Sequence, residues 1–280
     1  VALGSVLLAV AAAPVGAFSV YKGQSLIGDA IGHSTFPGII LAYMAFATRS
    51  PVILLAGAIL AGAASYALIQ LAHRDKRLGL DANLAIFLSG FFGLGMALKS
   101  FIQGNPDYAG ASQAGLGTYI FGQAAYMLEA DVLLIAAISA LVLTLLLLFY
   151  KELKLFVFDA EYAEVVGLPC RLLNLLLLVM TIAVIGIGIK AVGAILISSF
   201  LIIPCVAANQ WSNNFARVLL LSSLIGAVSA LVGTYISTLE QGMSTGPSII
   251  LVASLIAFFS IVFGTKGILG SVLKRRRTHG

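Results

Sequence analysis

Charge is what this chain has least of. Lys, Arg, Asp and Glu make up 10% of its 280 residues, against roughly 25% in an ordinary soluble domain. With a mean hydropathy of +1.07, that scarcity excludes a water-soluble fold and makes the chain an integral membrane protein. Cysteine is nearly absent: Cys170 and Cys205 stand far apart with no paired spacing, which excludes a disulfide framework or zinc-finger-type site and leaves both as packing residues. No G-x-x-x-x-G-K-[ST] phosphate loop, His-Glu-x-x-His or serine-nucleophile motif occurs, so neither ATP hydrolysis nor an intramembrane enzyme is expected of this chain. Met96, Met127, Met180 and Met243 form no thioether cluster, which argues against a copper(I) path. No aromatic-basic interleaving suggests nucleic acid.

What is present is a series of apolar runs. About 20 apolar residues cross a bilayer core, and the spans expected are 2–20, 25–48, 52–72, 82–103, 131–150, 171–189, 191–208, 216–239 and 247–270. The result is an all-α polytopic bundle of nine spans forming a single domain over 1–280. The stretch 191–208 contains Gly193 and Pro204, and as a broken, non-crossing helix it would reduce the count to eight. The stretch 113–128, rich in glycine, is expected to be re-entrant or surface-lying. The sequence starts at Val1 rather than Met, so a short leading stretch is expected to be missing. The first run, followed by further spans, reads as a span and not a cleaved signal peptide.

The net charge of +5 is unevenly placed. His73 to Arg77, Tyr150 to Lys154 and the tail Lys274-Arg275-Arg276-Arg277 carry the basic loops and are expected in the cytoplasm, the tail near anionic lipid. Gly104 to Asp107 and Leu239 to Gly242 carry no basic residue and are expected outside, so the N-terminus lies out and the C-terminus in. Glu129, Asp131 and Glu240 become possible outer-mouth acids, able to attract a divalent cation or to remain ordinary loop charges. Lys99 can snorkel from the outer end of its span. Lys190, at a span junction, would repel a cation.

The second span holds an acid and an imidazole well inside its apolar run. Asp29 and His33 are four residues apart, which puts both on one helix face. A carboxylate with an imidazole suits a divalent first-row metal, and ionisable groups at membrane depth mark functional paths by default. The competing reading is a polar pair satisfied inside the bundle. A second feature is the loop 156–169: Asp159 can cap a short helix with Glu161 in its first turn, and Gly167 and Pro169 stop it. Such a helix is too polar to cross and too short to stand alone; it is either a connector or a docking element.

Four stretches together resemble the ABC-3 family of manganese, zinc and iron permeases. They are Gly28-Asp29-Ala30-Ile31-Gly32-His33 with Pro37-Gly38; the loop Asp159 to Gly167; Val192-Gly193 through Pro204-Cys205-Val206-Ala207; and Thr245-Gly246-Pro247. Gly32 replaces a common serine, Ser199 and Cys205 stand where alanine is common, Ser244 replaces a proline, and Gly242 stands where an aspartate is often seen. Any outer-mouth role of that aspartate does not carry over.

The resemblance implies a homodimer around a central path, a separate cytoplasmic ABC ATPase dimer that binds ATP, and an extracytoplasmic metal-binding protein, all at the bacterial inner membrane. It implies Asp29 and His33 as metal ligands. The loop residues Asp159, Glu161, Ala163, Glu164 and Gly167 become the ATPase-coupling helix, with Ala163 and Gly167 at the small-residue and glycine positions. The cargo implied is manganese, iron or zinc, with Pro37-Gly38 closer to the manganese/iron branch; no cofactor is expected on this chain. Two other functions stay open: a proton-coupled metal transporter that needs no ATPase, and an ABC permease for iron-chelates or a cobalamin-like cofactor.

Overall fold

The computed structural model describes residues 1–48, 50–73, 79–105, 108, 127–193, 196–239 and 243–269, without the side chains of Pro51, Gly104, Lys190 and Ala191. The basic stretch 74–77, the loop positions 106 and 107, most of 113–128, Glu240 to Gly242 and the tail Lys274 to Arg277 lie outside the described residues. Eleven helices and no strand are found among the described residues: α1 (Ala2–Tyr21), α2 (Ile27–Phe46), α3 (Pro51–His73), α4 (Leu80–Gly104), α5 (Glu129–Leu148), α6 (Tyr150–Phe158), α7 (Ala160–Val165), α8 (Cys170–Val192), α9 (Ile197–Asn209), α10 (Phe215–Ser237) and α11 (Thr245–Phe263). Seven of them, α1, α3, α4, α5, α8, α10 and α11, are long and apolar enough to cross a membrane.

The remaining two apolar helices explain themselves. α2 is 20 residues long, the same as α1, but Asp29, His33, Ser34 and Thr35 lower its hydropathy. α9 has 13 residues, about 20 Å at the helical rise, short of a core of roughly 30 Å. The expected span 191–208 is thus divided: 191 and 192 finish α8, Gly193 breaks the chain at φ +99, and a short helix follows. Only glycine adopts that φ without strain.

α1 is the central post, apolar all round and buried along Leu8, Val15 and Phe18. Its Pro14 has no N–H, so the Val10 carbonyl loses its helical donor; Ser223 on α10 supplies one, its Oγ donating to Val10 O at 3.2 Å. A neighbour's hydroxyl is how an apolar bundle tolerates such a proline.

α9 runs beside α1 in the same direction: Gly188 abuts both Ile197 and Leu8, Gly16 abuts the Leu201 backbone, and Tyr21 donates to Asn209 Oδ1 at 2.9 Å. α2 crosses α3 at near backbone contact. A Cβ on Gly38 would fall 2.2 Å from Gly57 O, and one on Gly57 would fall 2.4 Å from Gly38 O. Close crossings at small residues are how membrane helices associate without a hydrophobic drive between them.

One end of the bundle holds the start of α2 and the short helices α6 and α7. There Phe158 packs on Tyr21 and Phe215 at ring-centroid distances of 5.3 and 5.2 Å. The opposite end holds the starts of α1 and α5, where Gly4 meets Met127 and Val132.

Candidate metal site

Asp29 lies in the first turn of α2, where exposed N–H groups favour a carboxylate. Its Oδ1 accepts a hydrogen bond from Ser198 Oγ at 2.8 Å. Ser198 is the second residue of α9, so the carboxylate also sits beside the start of that helix. The site therefore depends on the break at Gly193, which starts a new helix inside the bundle instead of at its surface. Half-helix ends at membrane depth are where transporters build ion sites.

One turn on, His33 Nε2 is 3.5 Å from Asp29 Oδ1, too long for a well-formed hydrogen bond. Two donors each about 2.1 Å from one ion at a tetrahedral angle are about 3.4 Å apart, so the pair accepts a shared metal with little movement. The imidazole stands edge-on to Phe92 of α4, centroids 4.8 Å apart, which sets its ring plane. Nδ1 is buried without a hydrogen-bond partner. The side chains of His33 and Asp29 are 12% and 29% exposed: neither is sealed in the core. Ser34 and Thr35 turn away, donating to Ala30 O at 2.6 Å and Gly32 O at 2.5 Å, and Ser34 also reaches Ser65 Oγ on α3 at 2.7 Å.

No third His, Cys, Asp or Glu joins the pair among the described residues. Ser198 is the site residue that sequence reasoning left without a role. It lies in the third family-like stretch, but nothing in the sequence says that its hydroxyl meets a carboxylate 169 positions away.

The loop helix forms as its caps dictate. Asp159 Oδ1 accepts from Tyr162 N at 2.9 Å, and Gly167 ends it at φ +85. Glu161 and Glu164 are exposed. Ala163 is 0% exposed and faces the chain's own core, because a six-residue helix must turn one face inward to stay folded. The surface it leaves outside consists of Tyr162, Val165 and Val166 at 54%, 84% and 56%, none of which was singled out.

At the other end, Glu129 is exposed. Asp131 is not an open mouth acid: it is 6% exposed and accepts from Leu128 N at 2.8 Å, capping α5. Glu240 lies outside the described residues, as does the Lys190 side chain. Cys170 and Cys205 are free and buried.

Pro37 and Gly38 have packing roles: Gly38 makes the α3 crossing, and Pro37 lies beside Gly95, where a Cβ would come 3.1 Å from its ring.

The model of the ABC 3 transport family matches residues 1–264. The zinc transport system membrane protein TroC of Treponema pallidum (strain Nichols) is 39% identical over 278 residues, covering 99% of this chain and 92% of that protein. The manganese transport system membrane protein MntC of Bacillus subtilis (strain 168) is 39% identical over 280 residues, covering 98% of this chain; the chain spans 64% of that relative's length. Among solved structures, a chain of PsaBC from Streptococcus pneumoniae in complex with Fab superposes with a TM-score of 0.83 at 27% identity, over 95% of this chain and 91% of that one.

Proposed function

The chain belongs to the ABC 3 transport family, and on that premise we propose that it is the membrane permease of an ATP-driven importer of a divalent transition metal. Asp29 and His33 are its transient ligands. The observation that carries this reading is the 3.5 Å approach of an imidazole nitrogen to a carboxylate that Ser198 holds in place. The relatives' names support a metal as cargo, one zinc and one manganese at equal identity. One carboxylate and one imidazole suit manganese, iron(II) and zinc alike; manganese or iron(II) is proposed ahead of zinc on the resemblance of Pro37-Gly38 to the manganese/iron branch.

The whole chain acts as one permease domain with nine passes, N-terminus outside and C-terminus in the cytoplasm. The alternating ends of the helices support that path, with α9 making the short return after Gly193. The end holding α6 and α7 also gathers Lys22, Lys151, Lys154 and Arg171, as a cytoplasmic face should. A second copy completes the path, a metal-binding protein delivers from outside, and a separate ATPase docks on α7 through Tyr162, Val165 and Val166, flanked by Glu161 and Glu164.

Each group has a stated task. Ser198 donates to Asp29 Oδ1 and so steadies the carboxylate oxygen that lies 3.5 Å from His33 Nε2. A neutral imidazole that ligates through Nε2 carries its proton on Nδ1. Resident metal sites give that proton an acceptor; the buried Nδ1 of His33 has none among the described residues. Two protein ligands, one of them poorly supported, hold an ion weakly enough to release it, as conduction requires. ATP-driven movement of α7 then shifts the helices and exchanges access to the site.

The test is uptake of radioactive manganese by proteoliposomes carrying the permease and its ATPase, with iron(II) and zinc as competitors. Uptake that requires ATP, falls at least about tenfold in Asp29→Ala and is inhibited more by iron(II) than by zinc is expected. Normal uptake by Asp29→Ala removes the site assignment.

A further inference from the structure

A half-buried cation outside the metal site has no task in that scheme. Lys22 follows α1 directly and stands in the turn that leads into α2, seven residues before Asp29. Its Nζ donates to Asn174 Oδ1 on α8 and lies 4.8 Å from the ring centroid of Phe156 on α6. Asn174 Nδ2 in turn donates to Tyr66 OH at 2.8 Å, and Gln70 Nε2 donates to the same oxygen at 2.8 Å, both on α3. One side chain therefore touches the helix that leads into the docking loop, the long helix α8 that follows it, and the turn that begins the metal-binding helix.

A methionine of similar length would fill this space without desolvating a charge. The lysine is costly here: burial pulls its ammonium down to about 8. Beside it lies a small cavity whose lining mixes polar side chains such as Gln24 and Thr181 with Ile27, Ile31, Leu177 and Leu178. Polar contacts of this kind break and remake without repacking a core, so a displacement of Phe156 or Asn174 is felt at Lys22 and at the turn that carries it. Contiguous chains of packed and hydrogen-bonded side chains are what carry coupling between sites.

We propose that Lys22 is the positioning residue that passes movement of the α6–α7 docking loop to the start of α2, and so to Asp29. This rests on the importer reading. Lys22 touches neither metal nor nucleotide; it acts through the Phe156 contact on one side and the α1–α2 turn on the other. A lysine that served only to seat α1 would leave the ratio of transport to hydrolysis untouched.

The experiment uses the full permease assembled with its ATPase in proteoliposomes and compares wild type, Lys22→Met, Lys22→Arg and Asn174→Leu. Manganese bound without nucleotide, ATP hydrolysed and manganese transported per ATP are measured. Lys22→Met should bind manganese and hydrolyse ATP as wild type does, while manganese moved per ATP falls about tenfold. Lys22→Arg, which keeps the charge and the stacking, should retain more than about half of the wild-type ratio. Asn174→Leu should fall in the same direction and serves as the test should Lys22→Met not assemble. A wild-type ratio in Lys22→Met or Asn174→Leu overturns the proposal, as does equal loss of hydrolysis and transport in Lys22→Met. A wild-type complex that moves no divalent metal defeats the importer reading instead, and the two failures are told apart by that control.

Discussion

α1 and α2 have the same length, 20 residues each, and opposite characters. α1 carries no Asp, Glu, Lys, Arg or His, is buried on nearly every face and satisfies the length and hydropathy expected of a span. α2 falls outside that set because of the residues that make it interesting: Asp29, His33 and the hydroxyls beside them. Hydropathy finds the helices that hold a membrane protein together. The helix proposed to hold the metal fails the same test, because polar groups at membrane depth are tolerable only where neighbouring helices shelter them. α2 has that shelter in α3, α4, α8 and α9.

The contrast is open to attack at four points. The largest effect is expected from Asp29→Ala, which should cut manganese uptake by at least about tenfold and leave thermal stability in detergent within about 1 kcal/mol of wild type. Loss of folded protein instead would make Asp29 a structural residue like those of α1.

Next comes Gly57→Leu. A side chain there meets the Gly38 backbone, which has no flexible end to move, so the α2–α3 crossing should open and cost about 3 kcal/mol. Thermal unfolding in detergent is the readout.

Ser198→Ala should weaken manganese binding about tenfold, corresponding to loss of one hydrogen bond to a charged group, with no change in stability at α1; binding measured by competition with a fluorescent chelator checks it. Ser223→Ala is the smallest and the mirror image. It leaves Val10 O without its substitute donor and should lower stability by about 1 kcal/mol, while manganese binding stays as in wild type.

Much of this was readable in advance, for local reasons. Expected spans at 2–20, 52–72 and 171–189 overlie α1, α3 and α8 to within a few residues, since runs of apolar residues need no partner to be recognised. The caps of the short loop helix at Asp159 and Gly167 were equally local. What was not readable was facing. Ala163 turned inward and Val165 outward because a two-turn helix packs by whichever face meets α6 and α8, which spacing alone does not reveal. Asp131 became a helix cap because Leu128 N was the donor within reach. Ser198 and Lys22 gained partners across 169 and 152 positions, contacts that only the assembled bundle creates.

The central claim is that Asp29 and His33 share one ion, and X-ray absorption on the manganese-loaded permease addresses it directly. The account predicts a first shell containing one imidazole nitrogen and oxygens, with the nitrogen contribution lost in His33→Ala and the shell emptied in Asp29→Ala. An all-oxygen shell unchanged by either substitution would contradict it.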